Sequence, residues 1–567
     1  MKKAESVMKK ETAVSQIVRK KCGIVGILGA ALIGVAAFLL LYGTTPLHVT
    51  NDAWIMAGYD ETDIIQHYSG WLAFRNSDWT FPLGMASDMA VGDGTCISYT
   101  DSIPWAAILC KMFRNVLLET FQYFGWYALL CYVLQGAAAF LLVQRKSRDL
   151  WYSLLGTVLF VFAPILMERS LRHTALGSQW LILFAMLVFL WHRDQPKKVH
   201  YAAFLLLLVL AIGIHPYFLP MIAVFLLLTV LEDLREKKWW SLALAAGDLA
   251  ATYLTGCLIG VLGTGVQTSR DGYGYYSMNL NALYNPVSLG GYTWSSFFKT
   301  HAQTLGNYDG FNYLGAGVVA GILILAAGYL AAPRKQNGGQ EEKKWFRRNG
   351  ALLVLLLLCT LFAVSNVVTW NDHELLTIPL PEKAAELCGI FRASARLFYP
   401  AYYCILTGVV YGLFELGEKG KRGGMFCLLA LVTLLQLLDL HTCIREKHDR
   451  MKENEAYVSV LDSPELNAIF EQSDALLTDH YYDGVRALSI PALKHQVKLY
   501  FSTANSGIYE HCEEENQRLT AQIKETGEIG SFVVLTSDWE TAQGYMEHEN
   551  IGCYEENGAY YLFSVKN

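Results

Sequence analysis

Residues 120–143 read TFQYFGWYALLCYVLQGAAAFLLV and contain no charged side chain. A membrane-spanning helix needs roughly 20 mainly apolar residues, because the hydrocarbon layer is about 30 Å thick and each residue rises about 1.5 Å. This stretch therefore predicts a transmembrane helix. Of the 567 residues, 53% are hydrophobic and 17% are charged, whereas soluble domains carry about 25% charged residues. The composition argues against a single soluble enzyme.

Similar apolar stretches recur along the chain and predict an α-helical polytopic membrane protein with about eleven transmembrane helices. Residues 102–118 are also apolar, but Lys111 and Arg114 interrupt them, which favours a helix lying in the membrane interface. The predicted spans are 23–43, 120–143, 150–166, 176–192, 200–213, 217–231, 239–266, 312–332, 350–369, 399–416 and 425–440.

The distribution of lysine and arginine predicts the orientation. With the N-terminal segment 1–22 in the cytoplasm, the inner segments hold 25 Lys and Arg in 64 residues, and the outer loops hold 10 in 162. Cytoplasmic loops carry the excess of positive charge. The sequence thus predicts a multi-pass protein of the cell membrane, with a transmembrane domain over 23–440 and a long first outer loop over 44–119.

The composition changes after Leu440. Residues 441–567 hold 22 acidic and 10 basic side chains. Short apolar runs at 475–477, 497–501 and 532–535 alternate with helix-like stretches, and a hairpin pattern, GCYEENGAYYLFSV, ends the chain. We expect a small extracytoplasmic α/β domain, with a role in packing or in acceptor binding.

The first outer loop is dense in acidic and aromatic side chains. A helix from about residue 62 to 75 places Asp63 and His67 one turn apart, with Asp60 on the same side. Its apolar residues suit a helix laid flat in the membrane interface. Carboxylates there can serve as a general base or coordinate a divalent cation, or they can simply cap the helix.

Two further outer connections carry basic side chains. Glu168, Arg169, Arg172 and His173 crowd the connection between the third and fourth spans, and His215 lies before Pro216 at another outer turn. Arginine binds phosphate oxygens through two parallel hydrogen bonds, which suggests a phosphate site. Simple anchoring at the interface is the alternative.

The late outer loops suggest carbohydrate and phosphate binding. Residues 267–311 are rich in Tyr, Gly and Asn, which suit sugar rings or an aromatic belt at the interface. Arg392 and Arg396 lie one turn apart before the next span. They can clamp a phosphate or extend along the apolar surface towards water.

Six segments of the membrane part together carry a resemblance to a known protein family. They are DIIQHYSGWLAFRNSDWTFPLG, SYTDSIPW, FQYFGWYALLCYVLQGAAAFLL, LRHTALGSQWLIL, GFNYLGAG and FRASARLFYP, and they spread over roughly 60–400. The chain resembles the GT-C superfamily of polytopic glycosyltransferases, and more closely a bacterial family of uncharacterised GT-C-like membrane proteins. The tail lies outside the resemblance.

The resemblance implies site residues. The superfamily keeps a catalytic acidic residue in the first outer loop, and the family's Asp–x–x–Gln–His pattern falls on Asp63, Gln66 and His67. Asp63 is the first choice for general base and Asp60 the second. Thr62 stands where the family tends to have glycine, which leaves the choice between the two aspartates open. The same resemblance assigns substrate contacts to the aspartate of the TDSIP segment, to the basic pair of the third outer loop and to the late arginine pair, namely Asp101, Arg172, His173, Arg392 and Arg396.

These features favour one function and leave one alternative. The favoured function is an inverting glycosyltransferase that moves a sugar from a polyprenyl-phosphate donor to a glycan or lipid-linked acceptor of the cell envelope. The alternative is a transporter or flippase for a lipid-linked glycan, although the spans show neither repeats nor much mid-helix charge. Mg²⁺ or Mn²⁺ is a possible cofactor, but no ligand spacing supports a metal site. No basic patch suggests nucleic acid.

Overall fold

The computed structural model describes residues 23–58, 63–264, 272–331, 338–418, 423–459, 461, 463–479, 484–504 and 507–565. Most of these residues are helical. The helices are α1 (Gly23–Tyr42), α2 (Ala53–Met56), α3 (Asp63–Asn76), α4 (Pro104–Lys111), α5 (Phe124–Ser147), α6 (Leu150–Val161), α7 (Pro164–Arg169), α8 (Trp180–Asp194), α9 (Val199–Ile212), α10 (Phe218–Arg235), α11 (Trp240–Ile259), α12 (Ala316–Ala331), α13 (Gly338–Val364), α14 (Glu382–Gly389), α15 (Tyr399–Glu418), α16 (Gly423–Glu453), α17 (Pro464–Phe470), α18 (Val485–Leu488), α19 (Ile490–Lys494), α20 (Glu510–Thr526) and α21 (Trp539–Met546).

The strands are short. In chain order they are β1 (Met85–Ala86), β2 (Thr95–Cys96), β3 (Val367–Trp370), β4 (His373–Thr377), β5 (Ala475–Thr478), β6 (Lys498–Leu499), β7 (Phe532–Thr536), β8 (Ile551–Glu556) and β9 (Ala559–Ser564). The first four form two antiparallel hairpins in the long loops.

Seven helical segments among the described residues are long and apolar enough to cross a membrane: Gly23–Tyr42, Phe124–Ser147, Thr174–Asp194, Trp240–Ile259, Glu342–Val364, Ser394–Gly417 and Gly423–Ala456. The expected count of about eleven is not confirmed. The other four predicted stretches do form helices, namely α6, α9, α10 and α12. Three of these have only 10–17 residues, and α10 ends in the charged sequence EDLR.

Close helix packing depends on glycine at one crossing. A Cβ atom added at Gly34 of α1 would collide with the backbone oxygen of Tyr132, and one added at Gly136 of α5 would collide with that of Ala30. Small residues at such positions let two helix backbones approach. This contact joins α1 to α5, which in turn packs on α6, α8 and α15.

The tail forms the predicted small α/β region. Its five-stranded sheet has the order β6-β5-β7-β9-β8, with β5 parallel to β6 and β7 and with β9 antiparallel to β7 and β8. The predicted hairpin is confirmed as β8 and β9. Asn557 and Gly558 both have positive φ at its turn, as a two-residue type I′ connection requires.

Helix α3 lies between the bundle and the tail. Every residue from Ile64 to Phe74 is buried, and α3 contacts α4, α18 and α19. Ser69 Oγ lies 2.7 Å from Thr503 Oγ1, and Asn76 donates to the Leu493 carbonyl at 2.7 Å. The expected helix is therefore present, but its apolar residues are buried against protein rather than exposed on a surface, and part of that cover comes from the tail.

Candidate functional site

Four separate elements bring three histidines and one aspartate together, and we call these residues the His–Asp cluster. His67 lies on α3, Asp101 follows the 3₁₀ turn Ile97–Thr100, His173 follows α7, and His215 lies between α9 and α10. His173 Nε2 is 3.4 Å from Asp101 Oδ2, and His215 Nε2 is 3.3 Å from Asp101 Oδ1. The ring of His173 lies 5.4 Å from the rings of His67 and His215, between their centroids.

The backbone that presents Asp101 adopts an uncommon conformation. Asp101 has φ 56° and Ile103 has φ 55°. A positive φ is rare for a β-branched residue, and such a conformation costs of order 1–3 kcal/mol. Ser102 between them donates its hydroxyl to the His67 carbonyl at 2.7 Å. This short segment therefore fixes the aspartate next to α3.

Burial sets the protonation of the cluster. It lowers the pKa of His67, although the carboxylates of Asp101 and Asp63 act in the opposite direction. It lowers the pKa of His173 well below its usual range, and the positive charge of Arg396 adds to this effect. Burial alone would raise the pKa of Asp101, but the hydrogen bond and charge of His215 outweigh it and lower that pKa. At neutral pH the site holds neutral His67 and His173 rings beside an ionised Asp101.

A buried group of two arginines and one aspartate, which we call the Arg–Asp triad, lies beside the cluster. Arg169 Nη1 is 2.9 Å from Asp309 Oδ1, and Arg396 donates through Nε and Nη2 to both Asp309 oxygens at 2.9 Å. Arg169 also donates to the Asp309 carbonyl at 2.7 Å. Two guanidinium groups against one carboxylate leave the triad one positive charge.

The other predicted residues have distinct environments. Asp63 is the first residue of α3 and is partly buried, and its charge acts on His67. Asp60 lies outside the described residues. Glu168 and Arg172, both buried, form an ion pair with each other one turn apart.

The late arginines do not share one helix. Arg392 precedes the 3₁₀ turn Ser394–Phe398, which contains Arg396, and α15 begins only at Tyr399. The Arg392 guanidinium lies 5.9 Å from the Tyr276 ring centroid, whereas that of Arg396 lies 5.0 Å from the Tyr217 ring centroid. The two guanidinium groups thus lie against different rings, and Arg396 also pairs with Asp309.

Two residues of the Arg–Asp triad were not among the predicted site residues. Arg169 was named only as one of the side chains that crowd its connection, and Asp309 was not predicted at all. The signal for Asp309 was its place in the residues NYD, directly before the quoted segment GFNYLGAG. Nothing in residue spacing connects it to Arg169, because 140 positions separate them.

Three members of the His–Asp cluster have the donor atoms of a metal site. One ligand atom each from His67, Asp101 and His173 lies within 4.8 Å of the others. The sequence carries no ligand spacing for such a site, because the three residues belong to three separate elements.

Comparison with known protein families identifies the membrane part. The model of a family described as "Domain of unknown function (DUF6311)" matches residues 31–441. No curated protein matches the chain.

Proposed function

We propose that this chain, which belongs to the DUF6311 family, is a membrane glycosyltransferase. Its site would be formed by the loops and helix ends that hold Asp63, the His–Asp cluster and the Arg–Asp triad. The donor would be a polyprenyl-phosphate sugar, and the acceptor a hydroxyl of a cell-envelope glycan or lipid-linked glycan. The observation that carries this proposal is that the His–Asp cluster lies within electrostatic reach of both Asp63, which acts on His67, and the arginines of the Arg–Asp triad, which act on His173. Carboxylate and guanidinium groups are thus available within one site.

Asp63 is the residue best placed to act as general base. Asp63 is partly buried, whereas the residues from Ile64 to Phe74 that follow it are buried. Burial raises the pKa of the Tyr308 hydroxyl, Tyr276 and Asp309 raise it further, and Asp63 makes a smaller contribution. An aromatic hydroxyl and carboxylates in one site suit the binding of a sugar.

The reaction would be a single displacement. The acceptor oxygen attacks the anomeric carbon, its proton passes to Asp63, and the bond between the anomeric carbon and the phosphate oxygen breaks. The polyprenyl phosphate leaves with the bonding electrons. The excess positive charge of the Arg–Asp triad would stabilise that phosphate in a site shielded from water.

The activity test uses one buried-site variant and one exposed control in the same loop. We expect Asp63→Asn to reduce transfer from labelled polyprenyl-phosphate sugars about 10²–10⁴-fold, because a positioned base contributes that much. Asp78→Asn removes a carboxylate whose side chain is 93% exposed and should retain wild-type activity. Both variants are assayed in proteoliposomes against a panel of sugar donors.

Full activity of Asp63→Asn would remove this residue from the mechanism. Absence of transfer with every donor, accompanied by movement of intact lipid-linked glycan across the bilayer, would instead support the transporter.

The proposal also requires the loops that hold these site residues to face the outside of the cell, as the distribution of lysine and arginine suggests. We expect a cysteine introduced by Asp78→Cys to react in intact cells with a membrane-impermeant maleimide, because that position is exposed. The wild-type chain, treated identically, measures the background from native cysteines. Labelling only after the cells are lysed would place this loop in the cytoplasm.

A further inference from the structure

Two side chains beside α3 have buried polar atoms whose hydrogen bonding is incomplete. His67 is 0% exposed, and within the part of the chain that the structure describes neither of its ring nitrogens has a hydrogen-bond partner. The same holds for both amide atoms of Gln66, the preceding residue. An unsatisfied buried polar group is unfavourable, so native structures rarely keep one without an ion, water or ligand.

The neighbours of His67 are metal-binding groups. Its ligand atom lies within 4.8 Å of one from Asp101 and one from His173. The unpartnered, fully buried ring of His67, next to this carboxylate and imidazole, therefore points to a cation site.

The spacing of two of these atoms fits a shared metal ion. In tetrahedral coordination with bonds of about 2.0–2.1 Å, adjacent ligand atoms lie about 3.3–3.4 Å apart. The distance from His173 Nε2 to Asp101 Oδ2 is 3.4 Å. The His67 ring lies 5.4 Å from the His173 ring, between centroids, and its ligand atom is within 4.8 Å of both partners.

We propose that His67, Asp101 and His173 bind a divalent first-row transition metal ion, with Zn²⁺ the best fit. Two imidazoles and one carboxylate are ligands that zinc accepts readily, whereas Mg²⁺ prefers an all-oxygen set. Three protein ligands leave a fourth position, which a water or a phosphate oxygen can occupy. The proposal does not depend on which group the protein transfers.

His215 has a supporting role in this site. Its Nε2 atom contacts Oδ1 of Asp101, the oxygen that does not face His173. Such a contact holds a ligating carboxylate in place, and removing it typically reduces metal affinity 10–100-fold. His215 is therefore a positioning residue rather than a ligand.

The surrounding charges are compatible with a cation. Asp101 contributes one negative charge to the ligand set, and Asp63 adds a second next to His67. Arg169 and Arg396 share the single carboxylate of Asp309, so the Arg–Asp triad contributes one positive charge. The two carboxylates of Asp101 and Asp63 exceed that charge, so the local balance does not oppose metal binding.

The test measures metal directly in the full chain, purified without a polyhistidine tag. We expect elemental analysis to find about one transition metal ion per chain. After removal by a chelator, Zn²⁺ titration should restore one site, and Co²⁺ should give the absorption bands of a four-coordinate ion. His67→Gln and Asp101→Asn should weaken Zn²⁺ binding more than 100-fold, and His215→Gln 10–100-fold.

A second histidine group provides the matched control. His192, His200 and Asp233 lie at the other end of α8, with Nδ1 atoms of the two histidines 3.3 Å apart and His192 Nε2 3.1 Å from Asp233 Oδ1. His200→Gln should leave the affinity for Zn²⁺ unchanged. Thermal unfolding of each metal-free variant verifies that it is folded.

Three results would overturn the proposal. They are a wild-type protein that neither contains a transition metal nor binds Zn²⁺, equal Zn²⁺ affinity in wild type and folded His67→Gln, and loss of the site in His200→Gln. None of these measurements uses sugar transfer, so failure of the metal site and failure of the transferase assignment are separate outcomes.

Discussion

Replacing Asp309 with asparagine is expected to lower the free energy of unfolding by roughly 3–5 kcal/mol, the cost of leaving a buried charge without its partner. Asp309 accepts hydrogen bonds from both Arg169 and Arg396. Asparagine keeps the shape but not the charge, so two buried guanidinium groups would face a neutral amide. The measurement is unfolding in mixed micelles with increasing SDS.

Two control variants make this prediction specific. Arg396→Met should cost less than Asp309→Asn, because the contact between Arg169 and Asp309 remains. Asp372→Asn removes an aspartate in the same group of loops whose side chain is 57% exposed, and it should change stability little. Equal losses in all three variants would mean that the triad is not the cause.

The pH dependence of Asp309 has a definite sign. Burial alone would raise its pKa, but Arg169 and Arg396 outweigh burial and hold it well below its usual range. A group with a lowered native pKa stabilises the protein above its unfolded pKa, and the contribution is lost as pH falls towards the native pKa. The difference between wild type and Asp309→Asn should therefore stay constant from about pH 5 to 8.

The second large effect is expected at Asp439, a fully buried carboxylate in α16. Its Oδ2 atom accepts hydrogen bonds from Tyr313 Oη at 2.6 Å and from the backbone nitrogen of Ala316 at 2.8 Å, and its Oδ1 atom accepts one from Ser295. Ala316 begins α12, so the carboxylate also caps the positive end of that helix.

Asp439→Ala should reduce stability by about 2–4 kcal/mol, because it leaves one buried and two partly buried donors without their acceptor. Asp449→Ala, on the exposed side of the same helix, is the matched control and should behave like wild type. The same SDS titration gives both values. A loss below about 0.5 kcal/mol at position 439 would mean that water replaces the carboxylate.

Local features of the fold could be predicted from short stretches of sequence. All eleven apolar stretches contain helices, the helix predicted from about residue 62 to 75 is α3 (Asp63–Asn76), and the predicted hairpin turns at Asn557 and Gly558. Helical length, apolar runs and turn residues depend on neighbours within a few positions. The span count was not confirmed, because the sequence does not show where a helix ends inside a long apolar run.

The environment of α3 could not be predicted in the same way. Its apolar residues suit a lipid surface as well as a protein surface. Tail residues more than 400 positions away cover it, among them Thr503, which contacts Ser69. Residue type alone does not distinguish these two partners.

The sequence by itself determined that this is a helical chain suited to a membrane, with a small α/β tail and a few charged groups in its loops. Only the tertiary structure decided which of those charges meet. His67, Asp101, His173 and His215 come from four elements, and Asp309 lies between arginines 140 and 87 positions away. Such contacts depend on how whole helices pack, and the periodicity within one helix carries no information about its partner.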